Sequence, residues 1–433
     1  MNASEQNKPN QQERVIPKLR FPEFQTALGW KRHQLSEYSK IVRGGSPRPI
    51  EKYLTQDKEG LNWLKIGDVE KDAKYVIKTA EKVSLSALSK TREVNEGDFI
   101  LSNSMSFGRP YILKIKTCIH DGWIAITNID IKLDKNYLYY LMLTSSCQNY
   151  FFKNAAGSSV LNLNAEIIKS LPISLPEISE QQKIADCLSS LDELIELQEQ
   201  KLATLKQHKK GLMQQLFPSH HALQAGRVVY PKLRFPQFRN CKGWEVVELK
   251  VLANRVTVKN KDNAIIRVLT NSANDGVIDQ GDYFDRDIAN KNNLDGYYII
   301  EFGDYVYNPR ISNLAPVGPI SKNKVGIGVM SPLYTVFRFK NEQNDFYEYF
   351  FKTNTWHKYL QQNSNSGARY DRMNITNNDF MSMPLPMLIP KEQQAIADCL
   401  SSLDNLINEQ NERIGRLKTH KKGLMQQLFP TIQ

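Results

Sequence analysis

The sequence is poor in the residues that build metal and redox centres. Its five cysteines (Cys118, Cys147, Cys187, Cys241 and Cys399) include no C-x-x-C pair. That spacing excludes the usual zinc and disulfide signatures and implies reduced, inert thiols. The seven histidines (His33, His120, His208, His220, His221, His357 and His420) show no metal-ligand spacing, and His220-His221 reads as part of a polar linker. Nucleotide-cradling loops of the G-x-x-x-x-G-K-[ST] and G-x-G-x-x-G types are missing. So is the Asn/Asp-Pro-Pro-aromatic motif with which amino-methyltransferases hold a base; Tyr307-Asn308-Pro309-Arg310 comes nearest and lacks the second proline. No apolar run approaches the roughly 18 residues of a membrane span. The polar start, MNASEQNKPNQQER, has no signal-peptide core. These absences read as a cytoplasmic, non-catalytic chain that binds no cofactor or metal itself.

What the chain has is length, charge and repetition. Its 433 residues exceed one ordinary core, so two or three domains are expected. The net charge of +11 is localised. Residues 1–179 carry 25 Lys+Arg against 19 Asp+Glu, and residues 218–391 carry 22 against 16, so each stretch has a net charge of +6. The segments 180–217 and 392–433 are close to neutral. Two equally basic lobes point to a polyanionic partner.

The lobes belong to a tandem repeat. PKLRFPEF at 17–24 returns as PKLRFPQF at 231–238, each followed by a Gly-Trp pair, Gly29-Trp30 and Gly243-Trp244. EQQKIADCLSSLDELIELQEQKLATLKQHKKGLMQQLFP at 180–218 returns at 392–430 with 28 of 39 positions identical. The material between has diverged almost beyond alignment, apart from echoes such as Gly97-Asp98-Phe99 beside Gly303-Asp304-Tyr305. Drift alone blurs joints and bodies alike, so the contrast points to one scaffold presenting two different readers.

The long repeated pieces read as helices. Apolar residues recur at alternating spacings of three and four, including Leu191, Ile195, Leu202 and Leu205 in the first and Leu403, Ile407, Ile414 and Leu417 in the second. That is the heptad pattern of a coiled-coil seam. A Ser179/Gln182 capping box is expected at the first start and Pro390 at the second, with Pro218 and Pro430 as stops. Each helix is acidic in its first half and basic in its second, which suits the helix dipole and favours antiparallel pairing. That pairing places Gln198 near Lys421 and Lys209 near Gln410. A helix of about 57 Å exceeds the roughly 34–36 Å of one duplex turn, so the pair can space two half-sites. The other reading is a coiled coil that merely dimerises the chain.

The expected organisation is a first recognition domain over 1–178, a central helix over 179–218, a second recognition domain over 219–389 and a C-terminal helix over 390–433. The class is α+β, pseudo-twofold symmetric. Each body alternates short strand-like runs (62–69, 98–103, 124–131; 304–309, 332–339) with loops, and ends in an aromatic-rich helical stretch. Arg, Asn and Ser in turns suit both phosphates and base edges. The candidates are Arg43, Arg48, Ser102, Asn103, Arg109, Ser158 and Ser159 in the first lobe. In the second they are Asn271, Asn308, Arg310, Arg369, Tyr370 and Arg372. Trp63, Trp123 and Trp356 read as core.

The duplicated PKLRFPEF…GW heads and EQQ-x-IADCLSSLD…HKKGLMQQLFP helices resemble the specificity subunit of type I restriction–modification systems over essentially the whole chain. The resemblance implies two target-recognition domains separated by an antiparallel helix pair, each reading part of a split double-stranded DNA sequence. It implies no activity in isolation. Two modification subunits would bring S-adenosylmethionine and methylate adenine, and motor-nuclease (restriction) subunits would use ATP and Mg. It also places modification-subunit contacts on the repeated helices, where outward-facing Gln200, His208, Glu409 and His420 are the candidates. No base contact transfers by motif. The alternative is a coiled-coil scaffold or adaptor that reads no DNA.

Overall fold

The computed structural model describes residues 14–103, 107–155, 162–283, 294–364 and 371–432. The chain forms two compact units, Met1–Glu199 with Glu412–Gln433, and Gln200–Asn411. Each unit takes half of each long helix.

Among the described residues the first unit holds three sheets. A small antiparallel one joins Arg14–Val15, Trp30–Gln34 and Pro172–Leu175. A five-stranded one runs Lys40–Arg43, Trp123–Thr127, Phe99–Ser102, Pro110–Leu113, Tyr75–Val76. A second runs Leu54–Thr55, Glu81–Val83, Leu61–Leu64, Thr117–Ile119, Arg92–Val94. Phe99–Ser102 and Pro110–Leu113 are buried at every position, as strands covered on both faces must be. The aromatic stretch after them is two helices rather than one. Asp134 caps Lys135–Leu143, and the Thr144 hydroxyl caps Ser145–Asn154 by accepting from the Cys147 N–H. Tyr137, Tyr140 and Phe151 pack into a core that also takes in Ile184, Leu188 and Leu428 of the long helices and Phe429 just after the second.

The second unit repeats this plan although its body sequence has diverged. Its small sheet is Val228–Val229, Trp244–Glu248, Pro384–Met387. Its others run Ala253–Arg255, Thr335–Phe339, Tyr305–Tyr307, Ile320–Lys322, and Gly276–Asp279, Val268–Ser272, Gly328–Met330, Tyr298–Ile300. In both bodies one sheet is built on a central parallel pair, Leu61–Leu64 with Thr117–Ile119 and Val268–Ser272 with Gly328–Met330. The Gly-Asp echo is one shared turn, in which Asp98 and Asp304 accept from the backbone N–H three residues earlier, at Asn95 and Glu301. Trp63, Trp123 and Trp356 are core residues. His220-His221 opens a short helix, His220–Ala225, capped by Ser219, rather than lying in a loop.

The long helices are Ile178–Leu216 and Pro390–Leu428. Pro390 begins the second as expected, and both end two residues before a proline. The Ser179/Gln182 capping box is not formed, because the first helix begins at Ile178 and Ser179 lies inside it. Glu180 and Gln181 N–H groups donate to the Glu177 carbonyl, and the Gln181 amide donates to Pro176 O at 2.9 Å. In the first unit Lys421 pairs with Asp192, and Lys418 with Glu199 at 2.7 Å; in the second Lys209 pairs with Asp404. Partners ascend on one helix as they descend on the other, so the pairing is antiparallel. The sequence places Gln198 near Lys421 and Gln410 near Lys209; the ion-pair partners found for these lysines are Asp192 and Asp404. An ammonium gains more from a carboxylate than from an amide, and Asp192 and Asp404 hold those positions. Ile195, Ile407 and Ile414 are buried, and Leu191, Leu202, Leu205, Leu403 and Leu417 are half-buried.

Each aspartate also fastens its unit's aromatic helix. Tyr140 donates to Asp192 at 2.8 Å with Lys421 Nζ 5.1 Å from its ring, and Tyr349 donates to Asp404 at 3.0 Å with Lys209 Nζ 5.2 Å from its ring. Burial raises both phenols well above their ordinary range. The heads are locked in the same duplicate fashion. Arg20 makes two 2.6 Å bonds to Glu180, and Arg234 two 2.7 Å bonds to Glu392, with the carboxylates 2% and 1% exposed. Two further guanidinium donors go to carbonyls, of Ala27 and Leu28 for Arg20 and of Cys241 and Lys242 for Arg234. Leu19 N–H bonds the Gln427 carbonyl and Leu233 N–H that of Gln215, both at 3.0 Å. Each PKLR segment therefore ties the start of one long helix to the end of the other. Glu180→Ala leaves the Arg20 charge buried and unpaired, and should destabilise the first unit by about 3–5 kcal/mol. Urea unfolding followed by hydrogen exchange over residues 14–34 measures this; a change below about 1 kcal/mol would contradict the clamp.

Candidate nucleic-acid interface

In the first unit the turn His120–Gly122, between two core strands, collects loops distant in sequence. Gly44 N–H bonds Trp123 O at 2.8 Å, Gly45 N–H bonds Ile119 O at 3.1 Å, and Asn103 N–H bonds Gly122 O at 3.0 Å. Arg43 Nε and Asn103 Nδ2 both donate to the Asp121 carbonyl, at 3.0 and 3.4 Å. Ser46 Oγ donates to Asp121 Oδ1 at 2.8 Å and Arg48 to Oδ2 at 3.2 Å. Burial pushes the Asp121 carboxyl up, but Ser46, His120 and Arg48 outweigh this and hold it below its usual range.

The expected residues divide by exposure. Arg43 and Arg48 face solvent at this hub. Ser102 and Asn103 are buried, which corrects their assignment as direct contacts: one lies within a strand and the other braces the turn. Arg109 is partly exposed, with Nη1 3.5 Å from Asp72 Oδ1 and a buried Nε that has no partner among the described residues. Ser158 and Ser159 lie outside the described residues.

The second unit builds a different cluster. Asn271 is 1% exposed, with its amide donating to Val306 O and Pro319 O. It too is corrected from contact to brace. Asn308 is half-buried; its amide donates to Asn271 O at 2.9 Å, and its carbonyl oxygen accepts from Arg310 N–H at 3.0 Å. The segment after Asn308 is strapped to residues 371–373 by Ile311 N–H to Asp371 O and Met373 N–H to Pro309 O, both 2.9 Å. Arg310 and Arg372 then stand directly opposite in an antiparallel bridge. Like charges so placed repel, unless an anion lies between them. Arg369 and Tyr370 lie outside the described residues.

Sequence reading missed Ser46, His120 and Asp121 as a hub, since Asp121 is 75 residues from Ser46. It also missed the Arg–Glu clamps, although a signal was present: both members recur unchanged in the two repeats. Gln200, His208, Glu409 and His420 are exposed on the long helices. Among the described residues no cluster of His, Cys, Asp or Glu could hold a metal, and no helix is long and apolar enough to cross a membrane. The five cysteines are unbridged, with burial pushing Cys118 up to about 11.

A duplicated α+β chain with paired antiparallel helices and an unlike cationic loop cluster in each unit is the class of protein that the fold and these sites define. The chain belongs to the type I restriction–modification DNA specificity domain family, whose profile matches residues 28–207 and again 241–417. It is 24% identical over 441 residues to the type I restriction enzyme MjaVIII specificity subunit of Methanocaldococcus jannaschii, covering 95% of this chain and 93% of that one. It is 25% identical over 239 residues to the MjaIX specificity subunit of the same organism, covering 54% of this chain and 53% of that one. The fold is similar to the crystal structure of the type I S subunit from M. genitalium, with TM-score 0.53, 13% identity and coverage of 97% of this chain and 100% of that one. It is also similar to the HsdS subunit from Thermoanaerobacter tengcongensis, with TM-score 0.51, 14% identity and coverage of 92% and 96%.

The close approaches at both hubs are testable. A Cβ on Gly44 would fall 2.2 Å from His120 O, and one on Gly318 would fall 2.0 Å from Asn308 O, both backbone atoms. Gly44→Ala and Gly318→Ala should each cost about 1–3 kcal/mol, read as lowered urea midpoints. Gly67→Ala, with nothing within 4 Å of its Cβ, should leave the midpoint in place. Equal midpoints for all three would contradict the packing.

Proposed function

We propose that this specificity subunit reads a bipartite double-stranded DNA target, each body recognising one half. The long helices set the gap and dock two modification subunits. The observation that carries this reading is the pairing of Arg310 against Arg372, with Arg43 and Arg48 exposed in the other body. Cations gathered from separate loops fit phosphates and guanine edges, even with Arg48 beside Asp121 at 3.2 Å and Arg372 beside Asp371 at 3.7 Å. The proposed contacts are Arg43, Arg48, Arg109, Asn308, Arg310 and Arg372, together with Ser158, Ser159, Arg369 and Tyr370. Exposed Gln200, His208, Glu409 and His420 are the proposed modification-subunit contacts.

The chain itself would be non-catalytic and bind no cofactor, acting in the cytoplasm. S-adenosylmethionine would belong to the modification subunits, and ATP and Mg to the restriction subunits. Helices of 39 residues, about 58 Å long, exceed a duplex turn of about 34–36 Å and suit a spacer.

Four residues inserted between Leu197 and Leu205, and four at the matching place in the other helix, should lengthen the gap and leave both half-sequences unchanged. Selection from a randomised DNA library by the complex with its modification subunits measures this, and altered half-sequences would contradict it. Affinity should also fall steeply between about 50 and 200 mM salt, by tenfold or more. Salt-insensitive or absent binding would favour a protein scaffold instead.

A further inference from the structure

The Arg48–Asp121 pair has a geometry that its structural surroundings do not require. Asp121 Oδ1 is firmly held, accepting from Ser46 Oγ at 2.8 Å with His120 Nε2 at 3.3 Å. Among the described residues Oδ2 is held only by Arg48, at 3.2 Å, and the Arg48 side chain is 82% exposed. Such an exposed ion pair is screened and contributes little to stability. The turn beneath it is rigid. The Asp121 carbonyl is clamped by Arg43 and Asn103, its N–H bonds Ser46 Oγ at 3.2 Å, and the glycine at 44 admits the close backbone packing. A fixed carboxylate with one weakly held oxygen therefore sits beside an exposed guanidinium, close to the exposed Arg43. Bringing a carboxylate against a polyanion is unfavourable unless it meets a donor.

The major-groove edge of a G·C pair offers the complementary pattern. Guanine presents N7 and O6 as acceptors, and cytosine presents its N4 amino group as a donor immediately beside them. An A·T pair fits worse, because the adenine amino group lies next to the N7 lone pair, which repels a carboxylate. We propose that Arg48 and Asp121 together read one G·C pair of the first body's half-site, Arg48 on guanine N7 and O6 and Asp121 on cytosine N4. Ser46 and His120 act as positioning residues that keep Oδ1 occupied and Oδ2 aimed outward. This assignment rests on the DNA-reading function proposed above and adds the specificity of one base pair to it.

The test is selection from a randomised duplex library by the complex of full chain and modification subunits, for wild type, Asp121→Asn and Arg48→Ala. Wild type should enrich a bipartite motif. Asp121→Asn keeps the shape but turns one face of the side chain into a donor. It should relax a single G·C position in one half-site by about tenfold and leave the other half and the gap unchanged. Arg48→Ala should relax the same position and weaken binding to all sequences. Urea midpoints within error of wild type establish that both variants are folded. Retention of the full motif by Asp121→Asn, or relaxation at different positions in the two variants, would overturn the assignment while leaving the bipartite reading intact. Failure of wild type to enrich any bipartite motif would instead overturn the function on which it rests.

Discussion

The architecture depends on one buried ion pair made twice. Arg20 with Glu180 and Arg234 with Glu392 are bidentate, nearly solvent-free and completed by backbone carbonyls. A buried charge pair of this kind is costly to desolvate and is not in itself a strong source of stability. Its effect here is specificity of arrangement. A guanidinium fork accepts one orientation of carboxylate, so the head segment can dock on the helix start in one way only. Because the adjacent Leu19 and Leu233 N–H groups reach the end of the other long helix, the same few residues join both helices to each sheet. That explains why PKLRFP, EQQ and QQLFP remain alike in both copies while the bodies differ.

Within each unit a second repeated element joins body to helix pair. The Tyr–Asp–Lys groups at 140, 192 and 421, and at 349, 404 and 209, place an aspartate where a tyrosine from the body and a lysine from the opposite helix both converge. The shared strand order of the two bodies then follows from a common mounting. A body that keeps its contact with this frame can exchange loops freely, since loops carry recognition and strands carry packing. The two loop clusters show the result: one is organised around a turn carboxylate, the other around opposed arginines.

Much of this was legible in the sequence, because it was periodic or duplicated. The heptads gave the seam, the prolines gave the helix ends within two residues, and the acid-to-base gradient gave the antiparallel direction. The register was not legible. Sequence spacing matched the polar seam residues to each other, whereas Lys209 and Lys421 are drawn to Asp404 and Asp192 by charge. The aromatic stretches concealed their breaks, at Thr144 in the first and between the helices Asp345–Phe351 and His357–Asn363 in the second, since both segments are helical in composition. Site residues were the least legible. Ser102, Asn103 and Asn271 have the composition of recognition turns but lie inside, bonded to or packed against backbone, and burial depends on which strands become neighbours. Asp121 carried no local signal, because its partners come from residues 43–48 and 103.

The central claim is that one conserved frame carries two independent readers. Its most direct test replaces residues 253–381 by the corresponding body of another family member and maps methylated adenines on the genome of cells carrying the complex. The account predicts a changed second half-site with the first half-site and the gap preserved. A change in both half-sites, or in the gap alone, would contradict it.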